Sequence, residues 1–90
     1  MNELNVTFMR WHKGKIGEKF SAKLVTNQVP VDAAMTLIKM PLDNGDALIA
    51  HIAEDVDNAT INGLRRTLEH PWIAKGAKVI VVDATVTIGA

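Results

Sequence analysis

The clearest hydrophobic pattern in the chain is that of an amphipathic helix in the C-terminal third. Ile61, Leu64 and Leu68 recur at helical spacing and therefore fall on one face of a helix. Asp57 stands just before this run, where a short polar side chain accepts a hydrogen bond from the first turn. Pro71 ends the helix, because its ring clashes with the carbonyl four residues earlier and its nitrogen carries no proton.

A strand is predicted directly after this helix. Gly76 allows the chain to turn, and the mostly β-branched run Lys78–Val82 is typical of a buried strand. A helix followed at once by a buried strand indicates a fold that mixes α and β structure.

The N-terminal segment alternates apolar and polar positions with a period of two. Leu4, Val6 and Phe8 are separated by single residues of the opposite face, which predicts a half-buried strand over Leu4–Trp11. The polar stretch His12–Lys15 interrupts the alternation and ends this strand.

The next segment carries apolar residues at helical spacing, and we predict a helix over Lys15–Thr26. Gly17 lowers the helical propensity by about 1 kcal/mol relative to alanine, so a strand over Lys19–Val25 is the alternative. The apolar residues concerned are Ile16, Phe20, Leu24 and Val25.

The middle of the chain contains the turn sequence Asp43–Asp46, with Asn-Gly at its centre. Asn-Gly between apolar runs favours a β-hairpin, because both residues tolerate the positive φ of a type I′ turn. The predicted strands of this hairpin are Met35–Met40 and Ala47–Ala53. A helix over Ala34–Met40, capped by Asp32, is the alternative for the first of them.

These elements follow one another as βαββαβ, the order of a ferredoxin-like two-layer sandwich in a single α+β domain spanning residues 1–90. A three-stranded ββαβ variant with a different topology is the alternative. In the ferredoxin-like topology the last strand is usually an edge, yet Lys78–Val82 is the most apolar strand predicted. Because an open apolar edge promotes aggregation, we expect either a covering partner or a different topology.

Composition and charge narrow the class of protein. The absence of cysteine excludes a disulfide scaffold, a thiolate zinc site and a cysteine nucleophile, and it favours a cytoplasmic protein. No apolar run approaches the roughly 18 residues of a membrane span, and the N-terminus lacks a signal-peptide pattern. Ten basic and ten acidic residues give a formal net charge of zero, which argues against nucleic-acid binding by bulk charge.

The segment Arg10–Lys15 is the first candidate site. Trp11 could stack on a base while Arg10, Lys13 and Lys15 contact phosphates. Tryptophan and arginine also dominate protein interfaces, so the same segment is a candidate protein contact. The simplest interpretation is a solvated turn with Trp11 over the edge of the core.

A second candidate surface combines Trp72 with the last strand. Trp72 extends the apolar stripe of the second helix, and core packing is its default interpretation. A hydrophobic docking patch formed by Trp72, Val79 and Val81 is the alternative.

No catalytic, metal or cofactor site is predicted. The acidic clusters Asp43–Asp46 and Glu54–Asp57 lack the regular ligand spacing of a calcium loop. His12, His51 and His70 are too scattered to indicate zinc. Phosphate-binding loops and nucleophile elbows are also absent from the sequence, so we do not expect an enzyme.

The second half of the chain resembles, in pattern and size, short accessory proteins of bacteria and phages, and this resemblance carries no functional residues. We predict a small non-enzymatic binding protein of the cytoplasm that acts through protein–protein contacts, as a homodimer or on another protein. The predicted interface residues are Trp72, Val79, Val81 and Trp11. Binding of single-stranded nucleic acid through Arg10–Lys15 is the alternative function.

Overall fold

Four strands and two helices follow one another in the order ββαβαβ in a computed structural model that describes residues 3–25, 28–69 and 76–87. The strands form one sheet in the order β2-β1-β3-β4. Strand β1 is antiparallel to both neighbours, whereas β3 and β4 are parallel and are connected through the second helix. The elements are β1 Glu3–His12, β2 Lys15–Val25, α1 Val31–Lys39, β3 Ala47–Ile52, α2 Asn58–Leu68 and β4 Lys78–Val82.

The predicted α+β class is confirmed, and the ferredoxin-like order is not. A ferredoxin-like fold has a helix between its first two strands, whereas β1 and β2 here form a hairpin. The sheet has four strands, so the three-stranded alternative does not describe it either. Neither described helix is long and apolar enough to cross a membrane.

The predicted helix over Lys15–Thr26 is wrong, because Lys15–Val25 is strand β2. Ile16, Phe20 and Leu24 are four residues apart, a spacing that fits one face of a helix and also one face of a strand. The turn that precedes Ile16 favours the strand over the helix. Lys13 and Gly14 have φ values of 49° and 83°, and two positive φ values in succession are typical of a two-residue type I′ hairpin.

The predicted hairpin at Asn44-Gly45 is also wrong, and a helix, the alternative, is present as α1. The helix begins at Val31 with Pro30 at its N-cap, so Asp32 lies in the first turn and does not cap it. The Asp46 N–H donates to the Asp43 carbonyl at 3.0 Å, so a β-turn does form there. Only its glycine has a positive φ, 97°, as in a type II turn, and the turn joins α1 to β3. Met40 is extended before Pro41 and ends the helix.

The C-terminal predictions are confirmed within the described residues. The Asp57 carboxylate caps α2 by accepting a hydrogen bond from the Thr60 N–H at 2.8 Å. Strand β4 spans the predicted residues Lys78–Val82 and lies at the edge of the sheet. Pro71 and Trp72 lie outside the described residues.

Both helices cover the same face of the sheet, because their buried leucines belong to one cluster with the inward residues of the strands. Phe8 and Phe20 stack there across β1 and β2, with ring centroids 5.1 Å apart. Strand β3 contributes alternate residues to the core, and α2 contributes two leucines four residues apart. The largest fully buried side chains are Val6, Phe8, Leu24, Leu37, Leu48, Ile52, Leu64 and Leu68.

The β1–β2 turn can be tested by a pair of glycine substitutions. Gly14→Ala should destabilise the protein by about 1–2 kcal/mol, because an alanine at φ 83° is strained even in open space. Gly17→Ala is the matched control, since Gly17 lies within β2 without a positive φ and a Cβ there meets only ordinary contacts. Urea unfolding of both variants measures the difference. Equal stabilities would contradict the assigned hairpin.

Candidate functional site

The sheet has a second face, opposite the helices, and we call it the open face. Alternate residues of each strand lie on it, because neighbouring positions of a strand point to opposite sides. The strand register places Met9 beside Ile49 and Ile49 beside Ile80. In the adjacent row, Trp11 lies beside Ala47. The open face therefore has an apolar centre that runs across β1, β3 and β4.

A groove of about 630 Å³ lies at one end of the open face. Two large apolar side chains line this groove and are partly exposed to solvent. Trp11 is 37% exposed and Ile80 is 42% exposed. Such a cluster is more than the isolated apolar residues found on any protein surface. The lining residues are Trp11, Gly45, Asp46, Ala47, Ile49, Lys78 and Ile80.

The C-terminal segment 83–87 lies across the other end of the open face. His51 contacts the Val86 carbonyl through Nε2 at 2.9 Å. Asp83 fixes the start of the segment, because its carboxylate accepts hydrogen bonds from Thr85 and from the Val56 N–H. Those donors, Thr85 first, hold the pKa of Asp83 below its usual value. This segment does not line the groove at Trp11.

A polar cluster centred on Asp46 borders the groove. Asp46 is 3% exposed, and its carboxylate accepts hydrogen bonds from the Asp43 N–H at 2.9 Å and the Arg10 Nε at 3.2 Å. His12 Nδ1 lies 2.5 Å from the same carboxylate. The Asp43 N–H, followed by His12 and Arg10, lowers the pKa of Asp46 to about 2 against the opposing effect of desolvation.

The contacts of His12 assign the proton on Nδ1. The Asp46 carboxylate only accepts hydrogen bonds, so Nδ1 must be the donor in this pair. Arg10 Nη2 also lies 3.3 Å from Nδ1, but a guanidinium only donates and cannot bond to a protonated nitrogen. Arg10 is therefore held by Asp46, at 3.1 Å, and His12 leaves Nε2 as its second polar atom.

The same cluster places three potential metal ligands near one another. The ligand atoms of His12, Asp43 and Asp46 lie within 4.8 Å of each other. The Arg10 guanidinium lies 3.7 Å from the Asp43 carboxylate and 3.1 Å from that of Asp46, where it supplies the positive charge. These contacts explain why the residues lie together. They form an ion-pair network that joins the end of β1 to the turn before β3.

The structure separates the residues that the sequence grouped as a nucleic-acid site. Trp11 lies on the open face, whereas Arg10 pairs with Leu48 on the helix side and binds Asp46. Lys13 and Lys15 are exposed at the β1–β2 turn. Trp11 and Arg10 are thus adjacent in sequence but lie on opposite faces of the sheet.

Trp11, Val79 and Val81, which were predicted to form a protein interface, do not share one face of the sheet. Val79 and Val81 are partly buried against the core on the helix side of β4. Ile80, between them, is the exposed apolar residue of this strand. Ile80 and Ile49 are not among the residues predicted from the sequence. Alternation along Lys78–Val82 separates its inward positions, 79 and 81, from its outward positions, 78, 80 and 82.

Comparison with known proteins identifies no relative. The chain matches no protein-family model, and searches of curated proteins and of solved structures find no match. The function is therefore inferred from the geometry of this chain alone.

The Asp46 cluster makes a prediction about acid stability. The pKa of Asp46 is lowered from 3.8 to about 2 on folding, so its charged form stabilises the native state above pH 4. This stabilisation is lost as the pH falls from about 4 to about 2. Asp46→Asn should lower the unfolding free energy at pH 7 and flatten its decline over this window.

Urea unfolding at pH 7, pH 4 and pH 2.5 measures this effect. Asp55→Asn is the control, since Asp55 is exposed and the substitution is the same. A wild-type and an Asp46→Asn curve that fall in parallel below pH 4 would contradict the assigned network.

Proposed function

We propose that this chain is a non-enzymatic binding domain that acts through protein–protein contacts, with the groove of the open face as its contact surface. The observation that supports this most is the exposure of Trp11 and Ile80 over an apolar floor. Large apolar and aromatic side chains in a concave site are typical anchors of protein recognition.

The shape and chemistry of the groove favour a protein over a nucleic acid. Its floor is formed by the aliphatic side chains of Ala47 and Ile49, which suit an apolar side chain better than a stacked base. Among the described residues that line it, Trp11 is the single aromatic one. Arg10, which could have bound a phosphate, is held by Asp46 on the other side of the sheet.

The charge of the open face points to an acidic partner. Lys19, Lys23 and Lys78 belong to this face by their register, and all three are exposed. The register also places one exposed acidic residue, Glu3, on this face, so basic residues outnumber acidic ones among its strand positions. Lys78 also lines the groove. An acidic segment with one large apolar side chain complements this surface, since opposite potentials steer association and fix the register of the partner.

An extended conformation of the partner follows from the position of β4. This strand is at the edge of the sheet, and no described strand pairs with its outer side. A partner segment can add there as a further strand, with main-chain hydrogen bonds for affinity and alternate side chains over the open face for specificity. The first such side chain would lie beside Ile80.

Nuclear magnetic resonance titration tests this proposal. We expect short acidic peptides with one central Leu, Ile, Phe or Trp to shift the Trp11 indole and the amides of β4. Peptides with lysine in place of the acidic residues should bind at least about tenfold more weakly. Ile80→Ser should reduce binding of the acidic peptides, because it removes one wall of the groove.

The matched control is Val25→Ser, since Val25 is exposed to a similar degree and lies at the far end of β2. The proposal would be contradicted if no acidic peptide shifted the groove residues. It would also be contradicted if a thymidine oligonucleotide shifted Trp11 with salt-dependent affinity and the peptides did not.

A further inference from the structure

Helix α1 carries apolar residues on two opposite faces. Ala33 and Leu37 are buried against the sheet, as expected for one layer of the core. Three larger side chains face solvent instead. Val31 is 77% exposed, Met35 is 48% exposed and Ile38 is 49% exposed. Their spacing of four and three residues makes them one continuous stripe along the helix, which we call the α1 stripe.

The polar residues of α1 do not interrupt this stripe. Asp32, Thr36 and Lys39 lie on one flank, where they line shallow clefts against β2. No described element of the chain packs over the α1 stripe. A helix that is apolar on its inner and outer faces is normally buried on both, so the outer face calls for a covering surface.

We infer that a second copy of this chain covers the α1 stripe, with the two α1 helices antiparallel about a two-fold axis at Met35. Closed two-fold symmetry is the commonest form of self-association, and it requires a surface that complements itself. The α1 stripe meets this requirement, because Val31 and Ile38 are nearly equidistant from Met35. Each Val31 then meets the partner's Ile38, and the two Met35 side chains meet at the axis.

The charges of α1 fit the same arrangement. Asp32 is in the first turn and Lys39 in the last turn, on the flank beside the stripe. Neither has an ion-pair partner among the described residues. The antiparallel arrangement brings Asp32 beside the partner's Lys39, and the symmetry repeats this pair on the other side. The chain has no net charge to oppose association.

The dimer leaves the open face free. Helix α1 lies in the helix layer, so pairing through its outer side brings the two helix layers together. The two open faces then point outward, away from each other, and a dimer presents two equivalent grooves. A partner with two binding segments would gain avidity from this geometry without any new contact. The α1 stripe is smaller than the ~800 Å² per partner of standard interfaces, so we expect a dissociation constant of micromolar order.

Sedimentation equilibrium from about 5 μM to about 1 mM tests the dimer. Met35→Lys should raise the dissociation constant at least about tenfold, because the two-fold axis opposes two buried like charges. Ile80→Lys is the matched control, since Ile80 is apolar and 42% exposed but lies on the open face. It should leave the dissociation constant unchanged.

Charge exchange tests the antiparallel register. Asp32→Lys and Lys39→Asp should each weaken association, since each places like charges together across the axis. The double variant should recover association relative to either single variant. Circular dichroism at low concentration checks that α1 remains folded, because both changes also oppose the helix dipole.

Three results would overturn the inference: a monomer at every concentration, a dimer lost in Ile80→Lys and kept in Met35→Lys, or a double variant that associates no better than the single variants. The first and third results leave the peptide titration of the open face unaffected. The second would place Ile80 in the contact between copies, so the titration is then run at a concentration where the protein is monomeric. Failure of the dimer and failure of the proposed function therefore stay distinguishable.

Discussion

The structure depends on one constraint, which is that a single layer of two helices covers only one face of a four-stranded sheet. Inward and outward residues alternate along the strands, except where a register shift between Met9 and Trp11 interrupts the pairing of β1 with β2. Even-numbered residues of β1 and β3 face the helices, and Val6, Phe8, Leu48 and Ile52 are fully buried there. Odd-numbered residues of the same strands form the open face. Each surface of functional interest is an outer side of one of these two layers.

The Asp46 network holds together the strand ends that line the groove. It joins the end of β1, through Arg10 and His12, to the turn that starts β3. The Asp46 carbonyl also accepts the Lys78 N–H at 3.0 Å, so the starts of β3 and β4 are aligned at the same point. A buried carboxylate with several donors is rigid when all its bonds are made, because any unpaired group would be costly to desolvate. The side chains of Trp11 and Lys78 flank this junction.

The elements predicted correctly are those whose local sequence pattern is compatible with only one kind of secondary structure. The cap at Asp57 and the β-branched run of β4 each admit one interpretation, and both are present in the structure. Strand β2 was missed because every fourth residue is apolar, a spacing common to helices and strands. The Asn-Gly turn was assigned to a hairpin because Gly45 fits more than one turn type.

The candidate surfaces were harder to predict than the elements, because they depend on which strands are neighbours. Trp11 was identified as a contact residue, but its partners Ile49 and Ile80 come from strands distant in sequence. The α1 stripe could not be recognised while Met35–Met40 was interpreted as a strand. The α1 stripe is recognised as exposed only when the opposite face of α1 is known to be the buried one.

The most direct test of the central claim, that the helix layer associates and the open face stays free, is an isotope-filtered nuclear Overhauser measurement. Equal amounts of ¹³C-labelled and unlabelled chain are mixed at a concentration where the protein is dimeric. The account predicts intermolecular contacts at the methyl groups of Val31, Met35 and Ile38. Intermolecular contacts at Ile49 or Ile80, with none along α1, would contradict it.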